Sequence, residues 1–540
     1  MENATFDYIV VGAGSAGCVI AERLSADARN TVLLLEAGPE KKSFWFKPPL
    51  GMGKVLHDPR FVWQFQTSPQ TALNGRQLYW PRGKVVGGSG SINGTVWVRG
   101  DPAEYDSWRA SGLVGWGWSD VEPVFRRLED CTTYFESPER GRGGPIRIEL
   151  LRAHTALTEA FADACLACGI PANGDYNTSH IEGVGRLQAA TRFARRWSTA
   201  ESHLRLARRR PNLALRTDSL ARRILFENER AIGVEYGAAN KECLVARANR
   251  EVILAAGTAQ SPQLLELSGI GSSERLRSLG IPVICDSPHV GEHLCDHLHV
   301  RMTYKGKGIS TLNDVVRNPL RRLAAGAQWL FLGSGPLTGP PAIAHALTRS
   351  VKSDGRIDLK IQLHLMSGVD RHAKVRSQGL DPFSGFSIAL FQIRPYSRGS
   401  VHITSNDPYD LPSVDPRYLS HPMDIEIVVG ALKLIRRIAD QPSMQARIED
   451  EIRPGGKIQS TEELLEYART SGTTSYHPVG TCRMGSTRDC VVDARLRVRG
   501  VHGLRIGDAS VTPTIPSANT NAPAIMVGER CATFALEDAR

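Results

Sequence analysis

Long apolar runs and a cysteine framework are both missing from this 540-residue chain. No stretch of about 18 consecutive apolar residues is present, as a membrane-spanning helix would require. The first apolar strand starts near Phe6 and leaves no room for a signal peptide, so we expect no secretory or targeting segment. The ten cysteines lack disulfide-framework spacing, which favours a reducing compartment. These absences predict a cytoplasmic protein without a membrane span.

Internal repeats, low-complexity tracts and concentrated charge are absent as well. The net charge of +10 is spread over short clusters such as residues 208–210, without interleaved aromatic residues, so we expect no nucleic-acid partner. A composition of 41% hydrophobic and 23% charged residues is typical of globular proteins. Because single cores stop growing at roughly 250–300 residues, the length predicts two domains.

The most apolar stretch of the chain runs from Leu323 to Leu337. It is interrupted by Gln328 and glycines, and it follows Arg317, Arg321 and Arg322. We predict a core or entrance helix of the second domain here. Peripheral contact with a membrane surface is the alternative.

The residues from Asp7 to Gly38 predict a dinucleotide-binding βαβ unit. The apolar strand Tyr8–Val11 runs directly into the Gly-x-Gly-x-x-Gly motif of Gly12–Gly17, and a helix pattern follows. A second strand, Thr31–Leu35, ends at Glu36, where a carboxylate can accept hydrogen bonds from ribose hydroxyls. The glycines permit the tight turn, the approach of the pyrophosphate and helix–strand packing. This pattern does not separate FAD from NAD.

Three later segments carry further signals. Residues 82–94 form a glycine-rich loop whose amides can contact a flat or anionic ligand. A buried strand and helix over residues 251–267 indicate that the chain returns to the nucleotide-binding sheet. His477 precedes Pro478 and suits general-base work because its ordinary pKa lies near neutrality. Taken alone, a structural histidine remains the alternative.

Together these segments resemble the glucose-methanol-choline (GMC) oxidoreductase family. Residues 83–106 resemble its first signature and residues 257–271 its second, and the glycine motif, His477 and Asn519–Asn521 follow in the family's order. The resemblance covers essentially the whole chain and implies FAD as cofactor. It implies an α/β fold, in which a doubly wound, Rossmann-type FAD domain carries an inserted α+β substrate domain built on an antiparallel sheet. The predicted FAD domain comprises residues 1–155, 206–300 and 472–540, and the predicted substrate domain comprises 156–205 and 301–471.

The resemblance also implies roles for individual residues. The family's catalytic histidine matches His477, and its partner position, a histidine or asparagine, is matched here to Asn521. Some members attach FAD covalently through a histidine where this chain has Ile92, so we expect noncovalent FAD. The FAD contacts that the resemblance implies are Gly12, Gly14, Ser15, Gly17, Glu36, Val86, Asn93, Gly94, Thr95, Val96, Ala221, Ala256, Asp508, Ala509 and Asn521.

The segment from Gly291 to His299 superficially looks like a metal site. His293 and His297 are four residues apart, and Asp296 lies beside them. Related sequences have an Asp-His loop near the flavin at this place without a metal, so we expect no metal ion.

The implied activity is oxidation of a primary alcohol to an aldehyde by hydride transfer to flavin. The electrons would pass to oxygen or a quinone-type acceptor. Two alternatives stay open: choline as the substrate, and a non-redox lyase built on the same scaffold. The sequence does not determine the alcohol, the acceptor or the oligomeric state.

Overall fold

The computed structural model describes residues 4–134, 136–151, 155–238, 243–369, 379–516 and 518–539. Its strands are β1 Ala4–Val11, β2 Val32–Leu35, β3 Val62–Gln66, β4 Tyr79–Gly83, β5 Glu129–Cys131, β6 Ile146–Leu150, β7 Gly183–Arg186, β8 Gln188–Arg192, β9 Arg195–Arg196, β10 Leu213–Arg216, β11 Leu220–Glu227, β12 Arg230–Gly237, β13 Leu244–Leu254, β14 Ile270–Gly271, β15 Cys285–Asp286, β16 Leu298–Gly306, β17 Ala342–Thr348, β18 Leu359–His364, β19 Gly385–Gln392, β20 Ser400–His402, β21 Ser413–Asp415, β22 Ile448–Arg453, β23 Thr473–Thr474 and β24 Leu504–Ile506.

The α-helices are likewise numbered in chain order. They are α1 Ser15–Leu24, α2 Met52–Val55, α3 Ser89–Ile92, α4 Pro102–Ala110, α5 Trp118–Leu128, α6 Ala156–Ala167, α7 Arg205–Ala207, α8 Gly257–Leu267, α9 Ser273–Ser278, α10 Leu312–Arg317, α11 Pro319–Leu332, α12 Pro422–Ala439, α13 Pro442–Gln445, α14 Thr461–Ser471 and α15 Asn521–Asp538.

The first large sheet is the predicted nucleotide-binding sheet. Its strand order is β10-β2-β1-β13-β12-β11, and β24 pairs with the end of β13. β10, β2, β1, β13 and β24 are parallel to one another. β12 pairs antiparallel with β13, and β11 pairs antiparallel with β12. Tyr8–Val11 of β1 are buried, as strands covered on both faces require. The predicted βαβ unit and the doubly wound class are confirmed.

This sheet is assembled from distant parts of the chain. β1 and β2 come from the N-terminal part, β10 to β13 from the middle, and β24 from the C-terminal part. Each part lies within one of the three ranges predicted for the FAD domain. The exact residue bounds of the two domains stay a prediction.

The second large sheet is antiparallel in all of its described pairings, as predicted for the substrate domain. Its order is β22-β16-β19-β18-β17-β7, and β23 pairs with β16. Alternate residues of β18 face opposite sides. Ile361 and Leu363 pack in one core with Ile427 and Leu432 of α12, whereas Gln362 lines a cavity on the other side. The sheet therefore presents a polar wall to the site and an apolar wall to the helix behind it.

Helix α11 differs from its prediction. It ends at Gly333, whose φ of 56° is the left-handed conformation that favours glycine at a helix end. Only Ala325 and Trp329 of this helix are buried. This helix is therefore not a core helix, whereas the other part of that expectation, an entrance helix, stays a prediction. Within the described ranges, no helix combines the length and the apolar content needed to cross a bilayer.

Candidate functional site

A cavity extends from the carboxyl ends of β1 and β2 to the loop that carries His477. Its lining includes Gly12 after β1, Glu36 after β2, and both His477 and Asn519. Ligands of open parallel sheets bind at this edge, outside the carboxyl ends of the strands. The cavity thus connects the predicted nucleotide site with the predicted base.

The glycine motif shapes the inner end of this cavity. Gly12 has φ 102°, and a Cβ there would lie 2.5 Å from the carbonyl oxygen of Ala255. Gly14 is the N-cap of α1 and brings no capping side chain, and the first turn of α1 has no acidic residue. The first amides of α1 therefore face the cavity as a site for an anionic group.

Glu36 is fixed at the end of β2. Its Oε2 accepts a hydrogen bond from the Ala13 amide at 3.0 Å, and its Oε1 accepts one from the Gly38 amide at 2.9 Å. Burial raises the pKa of this carboxyl to about 7, against the lowering effect of the two amides. The carboxyl group is thus held in one orientation beside the cavity.

Most of the residues predicted to contact FAD line this cavity, but Gly17 and Val86 are not among its lining residues. A Cβ on Gly17 would lie 1.8 Å from the Gly12 carbonyl oxygen, so this glycine permits α1 to pack against the turn. Val86 is packed in the core of the first sheet. The predicted residues that do line the cavity are Gly12, Gly14, Ser15, Glu36, Asn93, Gly94, Thr95, Val96, Ala221, Ala256, Asp508, Ala509 and Asn521.

Buried polar atoms along the cavity fit a polar, elongated ligand such as a dinucleotide. Thr95 Oγ1, Gln260 Nε2 and Ser475 Oγ are buried without a hydrogen-bond partner among the described residues, and all three residues line the cavity. Leaving a buried polar group unpaired costs about 1–3 kcal/mol. A ligand that supplies partners would remove this cost.

Asp296 holds the loop that carries His477. Its Oδ1 accepts a hydrogen bond from the His477 amide at 2.8 Å. Its Oδ2 accepts hydrogen bonds from Trp80 Nε1 at 3.0 Å, Tyr418 Oη at 2.5 Å and Thr474 Oγ1 at 2.6 Å. One buried carboxylate therefore links the segments of Trp80 and Tyr418 to residues 474–477.

His297 sets the protonation pattern of His477. Nε2 of His297 lies 3.1 Å from the carbonyl oxygen of Ile393, which can only accept, so this nitrogen carries a proton. Burial lowers the pKa of His297 to about 4, so its ring is neutral near pH 7. Nδ1 of His297 therefore accepts from Nδ1 of His477 at 3.1 Å. His477 Nε2 is then the nitrogen that carries a lone pair.

Asn519, rather than Asn521, contacts His477. Asn519 Nδ2 lies 2.9 Å from His477 Nε2. The Lys360 amine donates to Asn519 Oδ1 at 2.8 Å, which fixes the orientation of the amide. Burial lowers the pKa of Lys360 to about 7.

The predicted pairing of His477 with Asn521 is not the arrangement that the structure shows. Asn521 is the first residue of α15, and its Oδ1 accepts a hydrogen bond from Ser15 Oγ at 2.7 Å. It thus lies at the α1 end of the cavity. Asn519 precedes the helix and turns toward His477. Because the segment Asn519–Asn521 contains two asparagines, residue type alone could not show which of them contacts His477.

The segment from Gly291 to His299 does not gather metal ligands. His293 Nε2 lies 3.4 Å from His289 Nδ1, whereas His297 contacts His477. Among the described residues, no group of three or more His, Cys, Asp or Glu side chains is arranged to hold a metal ion. The sequence did not predict that Asp296 holds the backbone of His477 or that His297 contacts its ring.

A second cavity adjoins the first at His477. It shares Ser475, Tyr476, His477 and Asn519 with the first cavity. Phe391 of β19 and residues of α10 contribute to its wall. Among the described residues that line it, none is a carboxylate, and Arg301 is the one guanidinium.

The first cavity fits a nucleotide-type ligand, and it meets a histidine–asparagine pair at the second cavity, an arrangement typical of a cofactor-dependent enzyme. Comparison with known proteins gives its family. The GMC oxidoreductase family matches residues 6–299 with its N-terminal part and residues 395–528 with its C-terminal part.

Similar proteins match almost the whole chain. The chain is 38% identical over 528 residues to an alcohol dehydrogenase (acceptor) of Pseudomonas putida, which covers 98% of this chain and 95% of that protein. It is 39% identical over 539 residues to the mitochondrial choline dehydrogenase of Homo sapiens, and the match covers 98% of this chain and 89% of that protein. The solved structure of an FAD-dependent oxidoreductase from Chaetomium thermophilum superimposes with a TM-score of 0.90 at 26% identity. The superposition covers 99% of this chain and 100% of that chain.

The chain therefore belongs to the glucose-methanol-choline oxidoreductase family. It is an FAD-dependent oxidoreductase that acts on the CH–OH group of its donor. The resemblance seen in the sequence is confirmed, and so is FAD as the cofactor.

Proposed function

We propose that this protein oxidises an uncharged primary alcohol to the aldehyde, with His477 as the general base. The observation that supports this proposal is the contact between His477 Nε2 and Asn519 Nδ2 where the two cavities meet. A substrate hydroxyl needs a nitrogen lone pair that accepts its proton and, beside it, an amide donor that binds its oxygen. Bound FAD supplies the acceptor for the hydride that leaves the carbinol carbon.

His477 takes the hydroxyl proton at Nε2. The ring can gain positive charge there because its Nδ1–H already donates to His297 and Asp296 fixes its backbone. The pKa of about 4 for His297 keeps the proton from passing on to that ring near pH 7. His297 therefore acts as a positioning residue.

Asn519 orients the alcohol oxygen. Its amide cannot titrate, and Lys360 holds its Oδ1, so Nδ2 is directed toward the place where the proton leaves. A hydrogen bond from Nδ2 to the developing alkoxide would be strongest in the transition state, and it would therefore lower the barrier. This role replaces the one that the sequence assigned to Asn521.

FAD binds noncovalently in this proposal. Its predicted contacts at Glu36, the first turn of α1 and Asp508 line the first cavity. Ile92 lines the same cavity with an aliphatic side chain that offers no nucleophile. Denatured protein should release all of its flavin.

The second cavity favours an uncharged alcohol over choline. A quaternary ammonium group is recognised by aromatic faces and a nearby carboxylate. The described lining of the second cavity has no carboxylate, and it includes the cationic Arg301. The described lining therefore offers a permanent cation no opposite charge.

The proposal is tested by anaerobic mixing of the holoenzyme with single alcohols while the flavin absorbance is followed. Benzyl alcohol and 1-hexanol should bleach the flavin at least about 10-fold faster than choline at equal concentration, a difference of about 1.4 kcal/mol. Recolouring on addition of oxygen or of a quinone dye then identifies the class of electron acceptor.

Two results would contradict this account. Fastest bleaching by choline would mean that a cation site exists. Release of an aldehyde without any bleaching would instead indicate the lyase alternative.

A further inference from the structure

The face of α11 that points away from the protein is apolar. Ala325 and Trp329 face the protein and are buried. At about 3.6 residues per turn, the opposite face carries alanine, leucine and phenylalanine side chains. A surface helix of a globular domain normally shows the reverse arrangement. The outward residues, all exposed, are Leu320, Leu323, Ala324, Ala327, Leu330 and Phe331.

Neighbouring segments enlarge this apolar surface. Phe44 packs edge-to-face on Trp329 with ring centroids 5.6 Å apart. Trp329 Nε1 donates to the Ala194 carbonyl at 2.8 Å, which places the exposed Phe193 beside the helix. Phe331 is 79% exposed and Phe193 70% exposed. We call this surface the α11 patch, which consists of Phe44, Trp45, Phe193, Leu320, Leu323, Leu330, Phe331 and Leu332.

Arginines lie along the border of the α11 patch. Arg317 at the end of α10 and Arg321 and Arg322 in the first turn of α11 are exposed. The Cζ atom of Arg195 lies 5.5 Å from the ring centroid of Trp329, and that of Arg192 lies 5.7 Å from the ring centroid of Phe193. The sequence has no acidic residue from position 315 to position 353. Since the whole chain carries a net charge of +10, pairing two copies through this surface would bring like charges together.

We propose that the α11 patch docks on an anionic lipid bilayer. The helix would lie along the surface, with its leucines and Phe331 at the boundary of headgroups and acyl chains and its arginines at the phosphates. An exposed tryptophan such as Trp45 is typical of residues at a membrane interface. This proposal is independent of which alcohol the enzyme oxidises.

Docking would also orient the second cavity. Leu312 and Val316 of α10 line that cavity, and α10 packs against α11. The side of the cavity formed by α10 would then lie close to the bilayer.

Vesicle flotation of the holoenzyme tests the proposal. Vesicles of phosphatidylcholine with phosphatidylglycerol should carry the wild-type protein, and pure phosphatidylcholine vesicles should carry several-fold less. Phe331→Glu should reduce the bound fraction several-fold. Val114→Glu is the matched control, since Val114 is also 79% exposed but lies between α4 and α5. Flavin absorbance and turnover of a water-soluble alcohol should be equal in all three proteins.

Three outcomes would overturn the proposal. The first is a wild-type protein that does not float with anionic vesicles, and the second is a Phe331→Glu protein that floats as well as the wild type. The third is a wild-type dimer in light scattering that Phe331→Glu converts to monomers, because the α11 patch would then be an interface between copies.

Discussion

At the scale of single residues, the protonation of the His477 ring depends on groups far from it in sequence. Ile393 fixes the proton on His297, and His297 in turn fixes the proton on His477 Nδ1. The Pro that follows His477 and the family resemblance made this histidine predictable. The role of His297 was not predictable, because it arises from a contact between residues 180 positions apart.

The two asparagines before and within α15 have different expected roles. Asn519→Ala should slow anaerobic flavin reduction by about 100-fold or more while FAD is retained, because the donor at His477 Nε2 is lost. Asn521→Ala should instead weaken FAD retention, because its partner Ser15 lies at the start of α1. Stopped-flow absorbance and the flavin-to-protein ratio measure the two effects.

Exchanged phenotypes would contradict the assignment. If Asn521→Ala kept its FAD and lost flavin reduction while Asn519→Ala reduced normally, Asn521 would be the partner of the base.

At the scale of elements, local pattern predicted β1, α1 and β2 because strand, turn and helix are contiguous and each has its own periodicity. The same reasoning predicted a core or entrance helix for α11, and the structure excludes the core alternative. Periodicity shows which residues share a face of a helix, but it does not show whether that face meets the protein. The exposed leucines of α11 are therefore visible only in the structure.

A pair of glycine substitutions tests the packing of α1 on the turn after β1. Gly17→Ala should cause loss of FAD and a destabilisation of several kcal/mol, because the new Cβ would lie 1.8 Å from the Gly12 carbonyl oxygen. Gly326→Ala in α11 is the control, since a Cβ there meets nothing within 4 Å. It should raise stability by about 0.5–1 kcal/mol. Thermal unfolding and flavin content measure both variants, and equal behaviour of the two would contradict the packing argument.

At the scale of the whole molecule, the site exists only where distant segments meet. β1, β13 and β24 lie side by side although they start at residues 4, 244 and 504. Spacing alone could not predict this assembly, whereas the family resemblance implied it. The antiparallel sheet closes the site from the other side, and it brings Lys360 of β18 to Asn519.

Anaerobic flavin reduction in His477→Ala, with the exposed His502→Ala as control, tests the central claim most directly. The account predicts that both variants retain FAD, that His502→Ala reduces its flavin at the wild-type rate, and that His477→Ala is about 10²–10⁴-fold slower. Reduction of the flavin in His477→Ala at the wild-type rate would contradict the account, since no base would then be needed at that position.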